Sequence, residues 1–321
     1  MKRLNLYILT TLALLPLIIP LPARATPKLW GVDADDFHLF LYGDYENMGT
    51  TFTNYGAMQW DNAGTPTAFL TGGQREMESF CIDYGGIAYF IYDGGALGGG
   101  YGDTVLLTLD LNQVSTASTP VATVVGDVGG TYSEPTGLAI HPISCLMYMT
   151  GKDGNNNTSD ELYLIDKVAG GGGSVGTQLI GEMTGNGLDV LKAEDLAFTL
   201  DGTLYVTSDR PPVNVLHEVD PATGIPLALI DNNMQYVDGD ESETVKFEGL
   251  AWDHENSQLI SSDTDHGWLV EITLGNGNNA NLGTIDDALD MEGFDFPLVP
   301  EPGLPVLSLL AAWGLLRRKS R

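Results

Sequence analysis

The chain has 321 residues, 40 of them glycine, and only 18% charged side chains, with 14 Lys and Arg against 43 Asp and Glu for a net charge of −29. Low charge and abundant glycine exclude a helical bundle and favour strands joined by tight turns, because glycine takes positive φ at no steric cost. The excess of acid is concentrated between residues 26 and 300, where 7 basic side chains face 42 acidic ones, leaving −35. Such a field repels phosphates and excludes nucleic acid as a partner.

Residues 1–25 begin Met-Lys-Arg, continue through the mostly apolar run Leu4–Leu21 and end in Ala23-Arg24-Ala25. A charged start, an apolar centre and an Ala-x-Ala exit describe a secretory signal peptide cut after Ala25. The first domain boundary therefore falls at 25/26.

From residue 26 onward one short sentence recurs. Its copies are Trp30-Gly-Val-Asp-Ala-Asp35, Glu78-Ser-Phe-Cys-Ile-Asp83, Thr136-Gly-Leu-Ala-Ile-His141, Glu194-Asp-Leu-Ala-Phe-Thr199 and Glu248-Gly-Leu-Ala-Trp-Asp253, with a truncated copy at Glu292-Gly-Phe-Asp-Phe296. The copies start 48, 58, 58, 54 and 44 residues apart. Each full copy precedes a second apolar strand, such as Ile87–Tyr92 or Thr203–Ser208, and a third with alternating pattern, such as Val215–Asp220. A weaker fourth strand follows in most units: Thr67–Leu70, Val121–Val125, Thr177–Ile180 and Leu227–Ile230.

Alternation marks half-buried strands, and four strands per unit at this period describe an all-β fold, a β-propeller of five or six four-stranded blades over residues 26–296. The truncated copy leaves the number open: it either starts a sixth blade or extends the last. The pattern resembles lactonase- and phytase-like propellers and the NHL group, in which a strand near Gly-Leu-Ala is followed by a Leu-Tyr-Val strand.

Four copies open on glutamate: Glu78, Glu194, Glu248 and Glu292. The first strand of a blade lines the axis, so these carboxylates are expected around one mouth of the channel. Like charges so placed repel unless protonated or bridged by a cation, and Ca²⁺ takes six to eight such oxygens. In gluconolactonase-like propellers a glutamate at the start of a first strand is a metal ligand, which is what the resemblance implies for Glu248 or Glu78. The alternative is that each glutamate closes a local hydrogen bond and recurs with the repeat.

Other candidates are plainer. Asp153–Glu161 and Asp238–Glu243 read as polar and acidic loops, and His141, His217 and His266 lack the spacing of a metal triad. His266 stands beside Asp263 and Asp265 as an acid/base candidate. Cys81 and Cys145 fall in or beside inner strands of neighbouring units and are candidates for a disulfide in an exported protein. There is no Gly-x-Ser-x-Gly and no phosphate loop.

The last 25 residues, 297–321, form a separate segment. Pro300-Glu301-Pro302 is followed by Gly303–Leu316, apolar except Ser308, and then by Arg317-Arg318-Lys319-Ser320-Arg321. Fourteen residues are short for a span, which needs about 20; counting back to Phe296 brings the length close. The basic cluster would stay cytoplasmic. This order of parts resembles the PEP-CTERM sorting signal of Gram-negative bacteria. The resemblance implies a transient inner-membrane anchor, processing near Pro300-Glu301-Pro302 by an exosortase-type peptidase, and delivery to the cell surface or matrix. Two functions fit the whole: a surface or matrix propeller that binds Ca²⁺ or polysaccharide, and a metal-dependent hydrolase of lactonase or phytase type.

Overall fold

A computed structural model describes residues 28–43, 45, 52–69, 76–93, 104–129, 134–152, 159–170, 173–210, 213–231, 235–238, 241–244, 247–263, 266–274, 278–285, 291 and 293–298. Both the leader and the Pro300-Glu301-Pro302 segment, with Arg317 and Arg318, lie outside these residues.

In chain order the strands are β1 (Leu29–Val32), β2 (His38–Tyr42), β3 (Phe52–Ala57), β4 (Gln59–Asn62), β5 (Thr65–Ala68), β6 (Glu76–Ile82), β7 (Ile87–Asp93), β8 (Val105–Asp110), β9 (Val121–Val128), β10 (Glu134–Ile140), β11 (Met147–Lys152), β12 (Glu161–Ala169) and β13 (Ser174–Glu182). They continue with β14 (Thr184–Gly185), β15 (Leu188–Asp189), β16 (Ala193–Phe198), β17 (Leu204–Arg210), β18 (Val213–Val219), β19 (Pro226–Asp231), β20 (Gln235–Asp238), β21 (Glu241–Thr244), β22 (Phe247–Asp253), β23 (Gln258–Asp263), β24 (Trp268–Ile272), β25 (Asn278–Thr284) and β26 (Gly293–Asp295).

Antiparallel pairing groups them into four-strand ladders: β6–β9, β10–β13, β16–β19, β22–β25, and β26 with β1–β3. The first strands neighbour one another in a cycle: β26 beside β6, β6 beside β10, β10 beside β16, β16 beside β22, and β22 beside β26 again. Apolar clusters fill the spaces between successive ladders. Val32, Phe80 and Phe90 pack in one, Leu138, Met149 and Tyr163 in the next, and Leu29, Ile260 and Phe294 close the ring. This is a β-propeller: neither face of any blade is covered until its neighbours stack on it.

The truncated copy finds its place here. Its strand β26 pairs with β1, Trp30 opposite Asp295 and Val32 opposite Gly293, so it supplies the inner strand of the first sheet. The copy at Trp30 is accordingly a second strand, not a first. Its likeness to the others is in the turn. Asp33, Asp83 and Asp253 each end a strand, and the residue closing the turn is left-handed: Phe37 at φ 56°, Gly86 at 75°, Ser257 at 58°.

The expected fourth strand at Thr67–Leu70 is also reassigned. Residues Thr65–Ala68 pair back on β4, and β4 runs parallel to β9, Gln59 opposite Val121. A second hairpin, β20–β21, is added to β25 in the same parallel manner. The acidic stretch Asp238–Glu243 belongs to this hairpin.

The inner strands approach closely. A Cβ on Gly293 would sit 2.8 Å from Cβ of Phe80, and one on Gly137 would sit 2.5 Å from Leu196 Cδ2 and 2.8 Å from Asp195 Cα. Small residues at this position of the repeat are what allow the ring to close so tightly.

The C-terminal boundary of the packed domain extends past 296. Phe296 and Leu298 are both buried, Leu298 against the cluster of Cys81, Ile140 and Met147. The apolar segment of the tail therefore cannot borrow length from Phe296.

Candidate binding site

Three places were expected or emerge as sites: the glutamates at the heads of the first strands, the axis, and a groove on the second blade.

The glutamates share one structural device. In β6, β16 and β22 the ladder slips at the head of the copy: between Met77 and Ser79, Ala193 and Leu196, and Phe247 and Leu250. Glu78, Glu194 and Glu248 thus sit in β-bulges, which re-aim side chains at strand ends. Glu194 is engaged by Lys152 of the preceding blade, Nζ to Oε2 at 3.4 Å. Glu248 is buried. The side chain of Glu78 and all of Glu292 lie outside what the structure describes. Among the described residues no group of three His, Cys, Asp or Glu is placed to hold a metal ion. Of the four expected carboxylates the described residues thus show two, Glu194 paired with an ammonium group and Glu248 buried.

The axis carries two other carboxyls that the repeat comparison passed over. Asp195 stands where the other copies have Ser79, Gly137, Gly249 and Gly293. It accepts the amide of Leu250 at 2.7 Å and that of Leu196 at 2.8 Å. One carboxyl therefore ties the inner strands of two successive blades. Asp295 stands where the others have cysteine or alanine. It accepts the amide of Ile82 at 2.8 Å and that of Phe296 at 2.8 Å, joining the last strand to the first complete blade.

Inner strands have an edge with no strand beside it, and buried amides on that edge need acceptors. These aspartates supply them. Burial raises the pKa of Asp195 well above the ordinary carboxylate value, and raises that of Asp295 to about 7 despite the amides that hold it down. The axial cavity, lined by Leu138, Leu196, Leu250, Trp252, His254 and Asp295, has a volume of about 20 Å³. A site of that size holds about one water molecule. Burial also lowers His254 to about 4, so it is neutral at ordinary pH.

The remaining sequence candidates are structural. His217 is buried in β18. His141 accepts the amides of Ile143 and Ser144 at 3.2 and 3.1 Å and so shapes a turn. His266 bonds Asp263 at 2.7 Å and stacks on Trp268 with centroids 4.6 Å apart. Asp160 accepts the amide of Ala193 at 2.5 Å; residues 153–158 of that loop lie outside the described set. The pairing of Cys81 with Cys145 is not formed. Both are free thiols, Cys81 in the core of β6 and Cys145 exposed in the β10–β11 turn.

The groove was not anticipated. It lies on the second blade, with a volume of about 380 Å³, between the β8–β9 connection and the sheet. That is within the range of ligand pockets, about 300–1,000 Å³. Its floor is apolar, with Ile87, Leu109 and Val114, and its rim carries Thr108, Thr119 and Gln113.

The wall is held rigidly. Asp110 ends β8 and caps the short 3-10 turn Leu111–Gln113, accepting from the Asn112 amide at 3.0 Å and from Gln113 Nε2 at 2.5 Å. These bonds keep its carboxyl below the ordinary value, with Gln113 the leading cause. Asn112 Nδ2 then donates to the Gly85 carbonyl at 2.8 Å, and the Leu111 amide to Gly86 at 3.0 Å. In the sequence the signal was Asp110-Leu-Asn-Gln113 directly after a strand, a capping pattern, followed by a run of Ser and Thr.

No family model matches the chain, and no curated protein matches it in sequence. Solved structures with a similar course include a chain of the nidogen/laminin complex, 10% identical, covering 84% of this chain and 98% of that one with a TM-score of 0.43. TolB from Acinetobacter baumannii is 11% identical, covering 86% and 68%, with a TM-score of 0.44. A putative gluconolactonase is 11% identical, covering 84% and 82%, with a TM-score of 0.43. The architecture stands on the strand pairing above, not on these likenesses.

Proposed function

We propose that the chain is an exported, five-bladed propeller that acts as a non-catalytic binding module at the cell surface or in the extracellular matrix, taking neutral polysaccharide in the groove of its second blade. The closed axis carries this reading. Among the described residues the axial cavity measures about 20 Å³ and is flanked by the Asp295 carboxyl, which serves strand amides, and this supports a ligand site away from the axis. Binding is thereby moved to the outside of the ring.

The groove offers what a sugar needs: hydroxyls and an amide on the rim for hydrogen bonds, and an apolar floor for the faces of the ring. Asp110 and the acidic surface disfavour acidic glycans. The leader and the Pro300-Glu301-Pro302 tail support export and processing by an exosortase-type peptidase; calcium has no part in the reading.

The test is affinity electrophoresis of the purified protein through gels holding neutral or acidic polysaccharides. Retardation by a neutral glycan, weakened about tenfold in Gln113→Ala or Thr119→Ala, is expected. Equal mobility in every gel, or retardation that ignores both substitutions, overturns the assignment. Hydrolysis of lactones or phosphate esters that is lost on metal chelation and in Glu248→Gln would overturn the non-catalytic part.

A further inference from the structure

We propose that the face of the propeller carrying the β6–β7 and β10–β11 turns lies against a lipid bilayer. On that face Ile143 is 70% exposed, Leu146 48% and Tyr84 37%. They form one patch, since Tyr84 Oη donates to the Pro142 carbonyl at 2.7 Å across the two blades. Exposed aliphatics with a tyrosine among them match the boundary between headgroups and acyl chains.

Where the chain leaves the domain says what covers the patch. Leu298, the last described residue, packs with Cys81, Ile140, Met147 and Ile87, which immediately flank those two turns. The chain thus departs beside the patch. Four residues, 299–302, separate Leu298 from the apolar run Gly303–Leu316. Fully extended they reach about 15–18 Å, allowing for the closing bond. If Gly303–Leu316 enters a bilayer, this face is held at its surface.

The anchor also needs the help. With Phe296 and Leu298 committed to the core, 14 residues remain, and as a helix they would measure about 21 Å against a hydrocarbon core of about 30 Å. Apolar area on the propeller adds to a short anchor. Charge selects among lipids. Asp83 stands in the β6–β7 turn next to Tyr84, and the domain as a whole is strongly acidic, so a neutral surface is preferred over an anionic one.

The inference rests on the tail acting as an anchor, and the experiment separates the two. Cys145 lies inside the patch and is exposed, while Cys81 is buried, so an environment-sensitive thiol dye marks the patch in the unaltered full-length protein. The labelled chain is mixed with phosphatidylcholine vesicles, with and without doxyl-labelled lipid. Vesicle association that resists alkaline carbonate, with a blue shift and at least twofold quenching by doxyl lipid, is expected. Ile143→Asp with Leu146→Asp should abolish the quenching and leave association in place. Association without shift or quenching overturns the inference. Failure to associate overturns the anchor reading and the inference with it. A blue shift before lipid is added, in a monomer or in a dimer, shows the patch covered by the tail or by a second copy and also overturns it. A vesicle with 30% anionic lipid should give weaker quenching; stronger quenching contradicts the charge argument.

Discussion

The fourth blade and the first are built from the same strand grammar but closed in different ways. The fourth, β16–β19, is continuous in sequence, and its inner strand carries Asp195, which holds amides from the fourth and fifth blades. The first takes its inner strand from the other end of the chain, and that strand is only three residues long, Gly293–Asp295. Its own carboxyl, Asp295, reaches one neighbouring strand at Ile82. Ring closure therefore depends on a three-residue strand and its one carboxyl, with Tyr45 of the first blade also donating to Asp253 of the fifth. It also rests on a group whose charge changes near neutral pH.

The largest effect should come from removing the closing strand. A chain ending at Met291 loses β26 and with it Phe294, exposes the edge of β1 and uncovers Leu29 and Phe40. Cooperative thermal unfolding should be lost. A chain ending at Leu298 should melt as the longer protein does, and if both truncations melt alike the closure is not carried by β26.

Next is Asp195→Ala. Two buried amides, of Leu250 and Leu196, lose their acceptor at once in a continuous inner strand, and a buried unsatisfied group costs about 1–3 kcal/mol. A loss of about 3 kcal/mol or more by chemical denaturation is expected. Asp295→Ala, with two amides affected, should lose about 2 kcal/mol on the same scale. The reverse order would show that the closing joint matters more than the internal one.

The pattern of failures and successes in reading this fold has the same physical root. The inner strands β6, β10, β16 and β22 were legible because a buried strand in a ring tolerates only small and aliphatic residues in its middle. Leu-Ala and Phe-Cys repeat for that reason. Strand β1 was misplaced because its turn, Asp33 to Phe37, imitates the turns after true inner strands, with the same left-handed closing residue. Sequence adjacency suggested that β1 headed its own blade; only pairing across more than 250 residues shows otherwise.

The heads of the copies drew notice as glutamates, yet Glu194 proves to be one half of an ion pair. The axial aspartates went unnoticed because each occurs once, at different positions of the repeat. What marks them is departure from the pattern, an acid where every other copy has a small neutral residue.

The pH dependence separates the two joints further. Asp295 titrates near 7 in the folded protein and near 3.8 when unfolded, so the folded state binds more protons between these values. Its contribution to stability is therefore highest below about pH 4 and declines as pH rises toward 7. Asp195, also raised, acts in the same direction. His254 acts oppositely. Its folded value of about 4 lies below its ordinary 6.5, so stability from this group falls as pH drops through that window. Asp295→Asn removes the first effect and keeps an acceptor for one amide. Between pH 4 and 6.5 its melting temperature should rise relative to that of the unaltered protein, the gap widening toward pH 7 and levelling above it. A gap that is flat across pH 4–8 would mean that Asp295 carries no proton in the folded state at neutral pH.

The smallest effect tests the rim instead of the axis. Lys152 and Glu194 are each partly exposed, with side chains 21% and 16% accessible, so solvent screens the pair and Lys152→Met should cost under about 1 kcal/mol. The useful readout is the response to cations, because the variant lacks the ammonium group that stands 3.4 Å from the Glu194 carboxylate. The variant should show a larger Ca²⁺-dependent rise in melting temperature than the unaltered protein. Equal response to Ca²⁺ in both proteins would show that Lys152 does not set how this end of the ring meets a cation, and that its pairing with Glu194 is structural alone.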